Sequence, residues 1–429
     1  MIKPIFCREW DSVDDFQLQL NLTSDDKKQL EYKKIIVWNS SKQKYFWNIV
    51  GFVVIKNIPT IIFPELYKSD DLSLSKDDAL MLLKVFKKYC NSSDLKTEEM
   101  EYLLGNNGKD ESKIALSIYF FSDYKNYGLL NRFKSETKQN ETGLINWSKT
   151  TTQQIPVTTH HSAFYPRPYV RQRQNNQNSI IRRIHEWILA DASSKWGWLD
   201  NDFKYTMESD FPCSTPNEAV IILKKELRTT FLQREIKLIK NMIAYLTNTS
   251  DATNGLVCDY FYTPFFHNIW ERLCGYAFDN NYKQLSERYI PETTIHFTNK
   301  NKKDLKRRQI PDILFLRNHA GNTIFCIFDA KYYKYEEFPG WPDIMKQYVY
   351  YMTIKEMLRQ EGTDCKIINT FLLPGKVATI ERCAIVQTDY MEKFGNIIAY
   401  YVNVENVMRI YLDDNKQKTL DEIFKDLNI

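Results

Sequence analysis

No stretch of the 429-residue chain approaches the roughly 20 consecutive apolar residues needed to cross a bilayer. The first residues, Met1-Ile2-Lys3-Pro4-Ile5-Phe6-Cys7-Arg8-Glu9, lack the apolar run and small-residue cleavage site of a secretory signal. The expected location is therefore cytoplasmic, with no membrane partner. Excess charge of one sign is missing too: 58 Lys and Arg against 54 Asp and Glu leave +4. That balance excludes a histone-like binder and confines any nucleic-acid contact to local basic patches. Eight cysteines (Cys7, Cys90, Cys213, Cys258, Cys274, Cys326, Cys365, Cys383) are scattered without a CxxC pair, so neither a zinc site nor a disulfide framework is indicated. His160-His161 read as a loop pair and the other four histidines are isolated, which argues against a histidine metal site. No internal repeat is visible.

What is present is a chain that can bury a substantial core. Hydrophobic residues make up 43%, which excludes a disordered or collagen-like protein and suits two or three domains. Residues 34 to 64 alternate apolar strand-like runs with polar turns, and residues 77 to 89 follow with helical spacing and acidic residues at the start. The polar break Gly105-Asn106-Asn107-Gly108-Lys109-Asp110 places a first boundary near residue 110. Residues 111 to 255 form a largely helical middle region with helices expected at 180 to 192 and within 218 to 247. Its polar stretches 135 to 141 and 171 to 179 read as connectors.

Residues 256 to 429 change texture. Phe266, Ile269, Trp270, Leu273 and Ala277 give residues 264 to 278 one apolar helical face. Strands are expected at 293 to 297, 312 to 316 and 323 to 332, a helix at 342 to 358, strands at 366 to 373 and 397 to 404, and a last helix at 419 to 427. This order predicts an α/β fold whose C-terminal part is a mixed sheet flanked by helices, joined to a small β-rich N-terminal domain, residues 1 to 110.

The sharpest chemical signal is Pro311-Asp312-Ile313-Leu314-Phe315 with Phe328-Asp329-Ala330-Lys331. Side chains alternate along a strand, so Asp329 and Lys331 share a face while Asp312 begins the neighbouring strand of a hairpin. Residues 324 to 328 are apolar at every position, so these charges emerge from a buried run and need partners or a metal. Oxygens of Asp312, Asp329 and the Ala330 carbonyl suit Mg²⁺, with Mn²⁺ as a substitute, and Lys331 would orient an attacking water in a phosphodiester displacement. A strand-end salt bridge satisfies the Asp329–Lys331 spacing alone. The surroundings favour chemistry: Glu271 lies beside the apolar stripe of the preceding helix, and Gln347 and Tyr351 share one face of the following helix. For these three, a solvent-facing ion pair and ordinary helix packing are the plainer readings.

A basic segment, Lys300-Asn301-Lys302-Lys303-Asp304-Leu305-Lys306-Arg307-Arg308, leads directly into Pro311-Asp312. Lys302, Lys303, Lys306, Arg307 and Arg308 are the candidate contacts to the phosphates of double-stranded DNA, contacts that position a duplex without reading its sequence.

Glu271, Pro311-Asp312, Asp329-Ala330-Lys331 and Gln347-x-x-x-Tyr351 together resemble the PD-(D/E)xK nuclease superfamily. The resemblance implies a restriction-endonuclease-like sheet over residues 256 to 429. Within it Glu271, Asp312, Asp329, Lys331 and Gln347 would be catalytic, and Glu271, Asp312, Asp329 and Ala330 would hold the metal. The wider chain resembles the LlaJI-type restriction endonucleases, relatives of the McrC nuclease subunit. Val50-Gly51-Phe52-Val53-Val54 with Ile61-Ile62-Phe63-Pro64, residues 143 to 150, residues 265 to 271 and Phe328-Asp329-Ala330-Lys331-Tyr332-Tyr333 carry that likeness. It implies a Mg²⁺-dependent restriction nuclease beside a McrB-like AAA+ GTPase, with the N-terminal part contacting the motor.

Glu65 follows Pro64 where relatives tend to carry a lysine. No nucleotide is expected on this chain, because Gly105-Asn106-Asn107-Gly108-Lys109-Asp110 has the wrong glycine spacing for a phosphate loop and no Ser or Thr after its lysine. A stand-alone RecB-like repair or recombination nuclease and a non-catalytic scaffold are the competing expectations.

Overall fold

The computed structural model describes residues 3–68, 73–90, 103, 113–131, 133–139, 142–159, 162–175, 179–200, 203–207, 210–247, 256–296, 304–319, 322–334, 337–363, 365–376, 380–389 and 391–413. The chain is mixed α/β and forms two compact units, one from residues 3–109 with 253–429 and one from residues 110–252. The candidate residues all belong to the first.

Among the described residues, that first unit holds, beside two small hairpins (Ile36–Asn39 with Lys44–Trp47 and Thr293–Ile295 with Leu305–Arg307), two larger sheets. One is built from β1 (Ile5–Arg8), β2 (Val50–Ile55), β3 (Ile58–Phe63) and β4 (Val257–Thr263), in the order β1-β3-β2-β4. β2 is buried along its whole length, which is why Val50-Gly51-Phe52-Val53-Val54-Ile55 is apolar without alternation. Lys56 and Asn57, at φ 48° and 65°, close a two-residue turn into β3, the left-handed geometry that matches strand twist. β4 adds antiparallel to β2 across a gap of about two hundred residues, with Gly51 opposite Tyr262. Gly51 sits at φ +136°, and a Cβ there would lie 2.4 Å from the Phe261 carbonyl oxygen, so only glycine lets these backbones pair. Trp47, Val53, Ile62 and Tyr262 close the core beneath this sheet.

The second sheet comprises β5 (Ile313–His319), β6 (Asn322–Ala330), β7 (Lys366–Gly375), β8 (Glu381–Val386) and β9 (Ile397–Asn403), in the order β5-β6-β7-β9-β8. β5 and β6 form an antiparallel hairpin, β6, β7 and β9 run parallel, and β8 closes the edge antiparallel. Helices α2 (Phe266–Ala277), α3 (Tyr282–Tyr289) and α4 (Trp341–Gln360) pack on this sheet, while α1 (Lys76–Cys90) meets β4 of the first sheet, Phe86 lying edge-on to Phe261 at 5.5 Å. Ile354 and Leu358 of α4 pack on Leu314, Phe325 and Ile327. Tyr348 of the same helix packs on Phe371, Leu373 and Ile397. Trp270 of α2 is fully buried and its indole N–H donates to the Leu372 carbonyl at 3.3 Å. Helix α5 (Val404–Asp413) follows β9, and its Tyr411 meets Tyr276 of α2 edge-on at 5.2 Å.

Several elements depart from the sequence expectation. The strand expected at 293 to 297 is Thr293–Ile295, which pairs with Leu305–Arg307 in a separate hairpin instead of joining the large sheet. In the middle unit the polar stretches expected as connectors are strands, Phe133–Gln139 against Tyr169–Asn175. Backbone pairing, blind to side-chain polarity, holds that ribbon. The rest of the unit is largely helical (Lys113–Tyr127, Ile180–Trp196, Pro216–Leu227, Gln233–Thr247), tied by a two-pronged Arg234–Asp123 ion pair at 3.0 and 2.8 Å. The helix expected at 419 to 427 and the polar break near 105 lie outside the described residues. Among the described residues no helix is long and apolar enough to cross a membrane.

Candidate active site

The register Ile313↔Phe328 of the β5–β6 hairpin puts Asp312 just before β5 and opposite the end of β6. Asp312 Oδ2 accepts the Ala330 backbone N–H at 3.0 Å, which fixes the carboxylate across the hairpin mouth. Asp329 is 5% exposed and its Oδ2 lies 2.7 Å from the Lys331 ammonium. Lys331 donates its backbone N–H to the Leu372 carbonyl at 2.9 Å, the same oxygen that accepts from Trp270. One carbonyl of β7 thus anchors both the end of β6 and helix α2.

The electrostatics show how crowded this mouth is. Burial, then the Asp329 and Glu271 carboxylates, push the Asp312 carboxyl up to about 8, against the opposing pull of Lys331 and the Ala330 N–H. Burial by itself lowers the Lys331 ammonium, but Asp329, Asp312 and Asp343 outweigh it and hold it above its ordinary value. Glu271, on α2, lines a cleft of about 570 Å³ together with Asp312, Asn280, Arg272 and Lys283. The buried Cys274 thiol, raised chiefly by burial, is pushed further by both Asp312 and Glu271, so the two acids face a common region. Among the described residues no three of His, Cys, Asp and Glu are gathered closely enough to form a ready-made metal cage. The donor set still fits Mg²⁺, which takes one or two carboxylates and keeps several waters, and a cation would offset the negative charge that raises Asp312.

Gln347 is fully buried on α4, and among the described residues neither its side-chain oxygen nor its nitrogen has a hydrogen-bond partner. Its backbone carbonyl accepts from Asn369 Nδ2 at 3.0 Å, which fixes that turn of helix on β7. Tyr351 lies over Gly395, where φ is +70° and an added Cβ would sit 2.6 Å from the ring. The basic segment is only partly described, because Lys302 and Lys303 lie outside the described residues. Lys306 is exposed on the small hairpin and paired with Glu292 at 2.7 Å. Arg307 is exposed, and Arg308 is half-buried with Nη1 3.5 Å from the Ser286 carbonyl.

Three residues that the sequence reading passed over shape the site. Asp343, at the start of α4, lies 3.5 Å from the Lys331 ammonium and accepts the Tyr333 hydroxyl at 2.8 Å. It falls four residues before Gln347, the spacing that puts both on one helix face, and that was the available signal. Asn280 donates to the Asp312 carbonyl at 2.6 Å and accepts from Leu314 N at 3.0 Å, so it sets the entry of β5. Tyr350 donates to the Ile310 carbonyl at 3.2 Å and is pushed up to about 12 by burial, Asp329 and Asp312. Neither Asn280 nor Tyr350 left a signal in spacing.

Next to the site Glu9 is 7% exposed and accepts the Tyr332 hydroxyl at 2.8 Å. Burial pushes its carboxyl from 4.5 to about 7, with Glu65 adding to the rise and Tyr332 and Lys334 opposing it. A raised carboxyl binds its proton more tightly in the folded chain. Its contribution to stability is therefore complete below about pH 4.5 and lost as pH rises through about 7, by about 3 kcal/mol. Glu9→Gln cannot ionise, so its melting temperature relative to wild type should climb between pH 5 and pH 8. A difference that stays flat over that range would refute the assignment.

A curated relative, "Type II restriction enzyme BsuMI component YdjA" of Bacillus subtilis (strain 168), is 28% identical over 415 residues, covering 91% of this chain and 86% of the relative. Two solved Thermococcus gammatolerans assemblies show weaker likeness. One, McrB AAA+ hexamers with bound McrC, is 14% identical at a TM-score of 0.34, covering 96% of this chain and 100% of the matched one. The other, an McrBC complex, is 11% identical at 0.28, covering 63% and 88%. Superposition at those scores does not establish a shared fold. A family profile described as LlaJI restriction endonuclease matches residues 49–415, a span that includes every candidate site residue, and the chain belongs to that family.

Proposed function

We propose that this chain is the nuclease component of a restriction system, hydrolysing DNA phosphodiester bonds at the Asp312–Asp329–Lys331 site in defence against foreign DNA. The observation that carries the reading is the pile-up of carboxylates and one ammonium at the mouth of a buried hairpin, severe enough to lift Asp312 to about 8. Charges so placed are costly unless a function retains them. The fully buried amide of Gln347, unpartnered among the described residues, points the same way, since such a group costs about 1–3 kcal/mol. The hairpin β5–β6 followed by parallel β7 is read as the core of a PD-(D/E)xK nuclease.

Asp312, Asp329 and the Ala330 carbonyl, with Glu271 from the helix flank, would hold Mg²⁺, or Mn²⁺ in its place. The cation supplies charge neutralisation and polarisation of the phosphoryl group when bound. Lys331 positions the attacking water and offsets charge developing on the phosphate, a task for which its persistently protonated ammonium is suited. Lys306, Arg307 and Arg308, with Lys302 and Lys303, are proposed to hold the duplex backbone.

The family and the relative's designation as a component of a larger enzyme favour action with a second protein, here a McrB-like AAA+ GTPase. Coexpression with such a GTPase tests this. Duplex DNA should be cut with Mg²⁺ and GTP by the complex, and cut far more slowly when either GTP or the second chain is withheld. Degradation of DNA ends by the lone chain without nucleotide would instead establish the stand-alone nuclease reading, to which Gln347 and Tyr351 are also suited.

A further inference from the structure

Lys331 is followed at once by a segment fastened to the N-terminal sheet. Tyr332 donates its hydroxyl to Glu9 Oε2 at 2.8 Å and accepts the Glu65 backbone N–H at 3.3 Å. Glu9 is itself fixed, because its own backbone N–H donates to the Phe63 carbonyl at the end of β3, at 2.7 Å. Two residues on, the Lys334 ammonium sits 3.5 Å above the centre of the Trp10 ring. The body of Tyr332 meets Phe266 edge-on at 5.2 Å and Trp270 at 6.5 Å, two residues one helical turn apart on α2, directly before Glu271.

We propose that Tyr332 is a positioning residue for the phosphodiester-cleaving site, tying the Ala330–Lys331 backbone and helix α2 to Glu9 and Glu65 of the N-terminal sheet. The inference rests on the function proposed above. Two fixed points hold this backbone. From below, the Leu372 carbonyl holds Lys331 N and the Trp270 indole. From the far side, the Tyr332 hydroxyl is gripped by two groups whose positions β1 and β3 determine. A backbone pinned at both ends presents the Ala330 carbonyl and the Lys331 ammonium in one arrangement. Without the second pin, the end of β6 is free to shift by a fraction of an ångström, and displacements of that size cost catalysis heavily.

Tyr332→Phe keeps the ring and its contacts with Phe266 and Trp270 while deleting both hydrogen bonds. In the assembled complex, its cleavage rate at saturating DNA should fall about 10-fold or more, with the DNA concentration for half-maximal rate unchanged. Titration of the isolated chain with Mn²⁺ should show weaker binding than wild type. Glu9→Gln retains an acceptor for the hydroxyl and should keep most of the rate, whereas Glu9→Leu, which leaves only the Glu65 N–H on that hydroxyl, should lose rate in the same direction as Tyr332→Phe. The Glu9→Leu/Tyr332→Phe pair should be no worse than Tyr332→Phe alone, because loss of the hydroxyl already breaks the Glu9 contact along with the Glu65 one. If Tyr332→Phe fails to fold, the Glu9→Gln and Glu9→Leu pair carries the same test. Wild-type rate and wild-type Mn²⁺ affinity in folded Tyr332→Phe, or equal losses in Glu9→Gln and Glu9→Leu, would overturn the proposal while leaving the nuclease reading intact. A wild-type chain that neither binds Mn²⁺ nor cleaves would overturn both.

Discussion

Asp329→Ala is expected to lower DNA cleavage by roughly 10³-fold or more, a loss of about 4 kcal/mol of transition-state stabilisation. The side chain is buried at 5% exposure, ends the apolar run of β6 and lies 2.7 Å from Lys331, so its charge serves the ammonium and whatever cation the site takes. Removing it does not strand the lysine, because Asp343 stands 3.5 Å from the same Nζ. It also relieves one of the carboxylates that raise Asp312. The fold and the affinity for DNA should therefore survive, since the proposed phosphate contacts lie elsewhere, around residues 302 to 308. Cleavage within about threefold of wild type in a folded Asp329→Ala protein would remove Asp329 from the catalytic machinery.

Much of this arrangement was legible because local rules and tertiary structure agree. Apolar residues at every position from 324 to 328 foretold a strand covered on both faces, and strand alternation placed Asp329 with Lys331. The paired signal Pro311-Asp312 landed at the mouth of the same hairpin through the Ile313↔Phe328 register. Gln347 was legible from helical spacing, though its complete burial was not.

What escaped the sequence depends on distant partners or on backbone alone. Glu9 and Tyr332 are 323 positions apart, and no periodicity links residues at that distance. β4 reaches β2 only because Gly51 lacks a side chain, a fact about one close approach and not about propensity. The strands Phe133–Gln139 and Tyr169–Asn175 carry polar residues at adjacent positions, so there was no alternation to detect. Lys306 stands in a basic run expected to meet DNA phosphates, and its pairing with Glu292, which precedes the opposite strand of its hairpin, left no mark in that run.

Removal of divalent cation tests the central claim most directly, because every proposed role at the site presumes a phosphodiester displacement assisted by oxygen-held Mg²⁺. Asp312, Asp329 and Glu271 bring three carboxyls to one mouth, and the Lys331 ammonium opposes the rise that Asp329 and Glu271 impose on Asp312. Such a site should repel a DNA phosphate until a cation enters. The measurement is duplex cleavage by the wild-type complex, followed before exhaustive chelation, after it, and after adding back Mg²⁺ or a monovalent salt of matched ionic strength. Cleavage is predicted to fall to background with chelator, to return with Mg²⁺ and with Mn²⁺, and not to return with the monovalent salt. Cleavage that continues at its original rate after thorough metal removal would contradict the account.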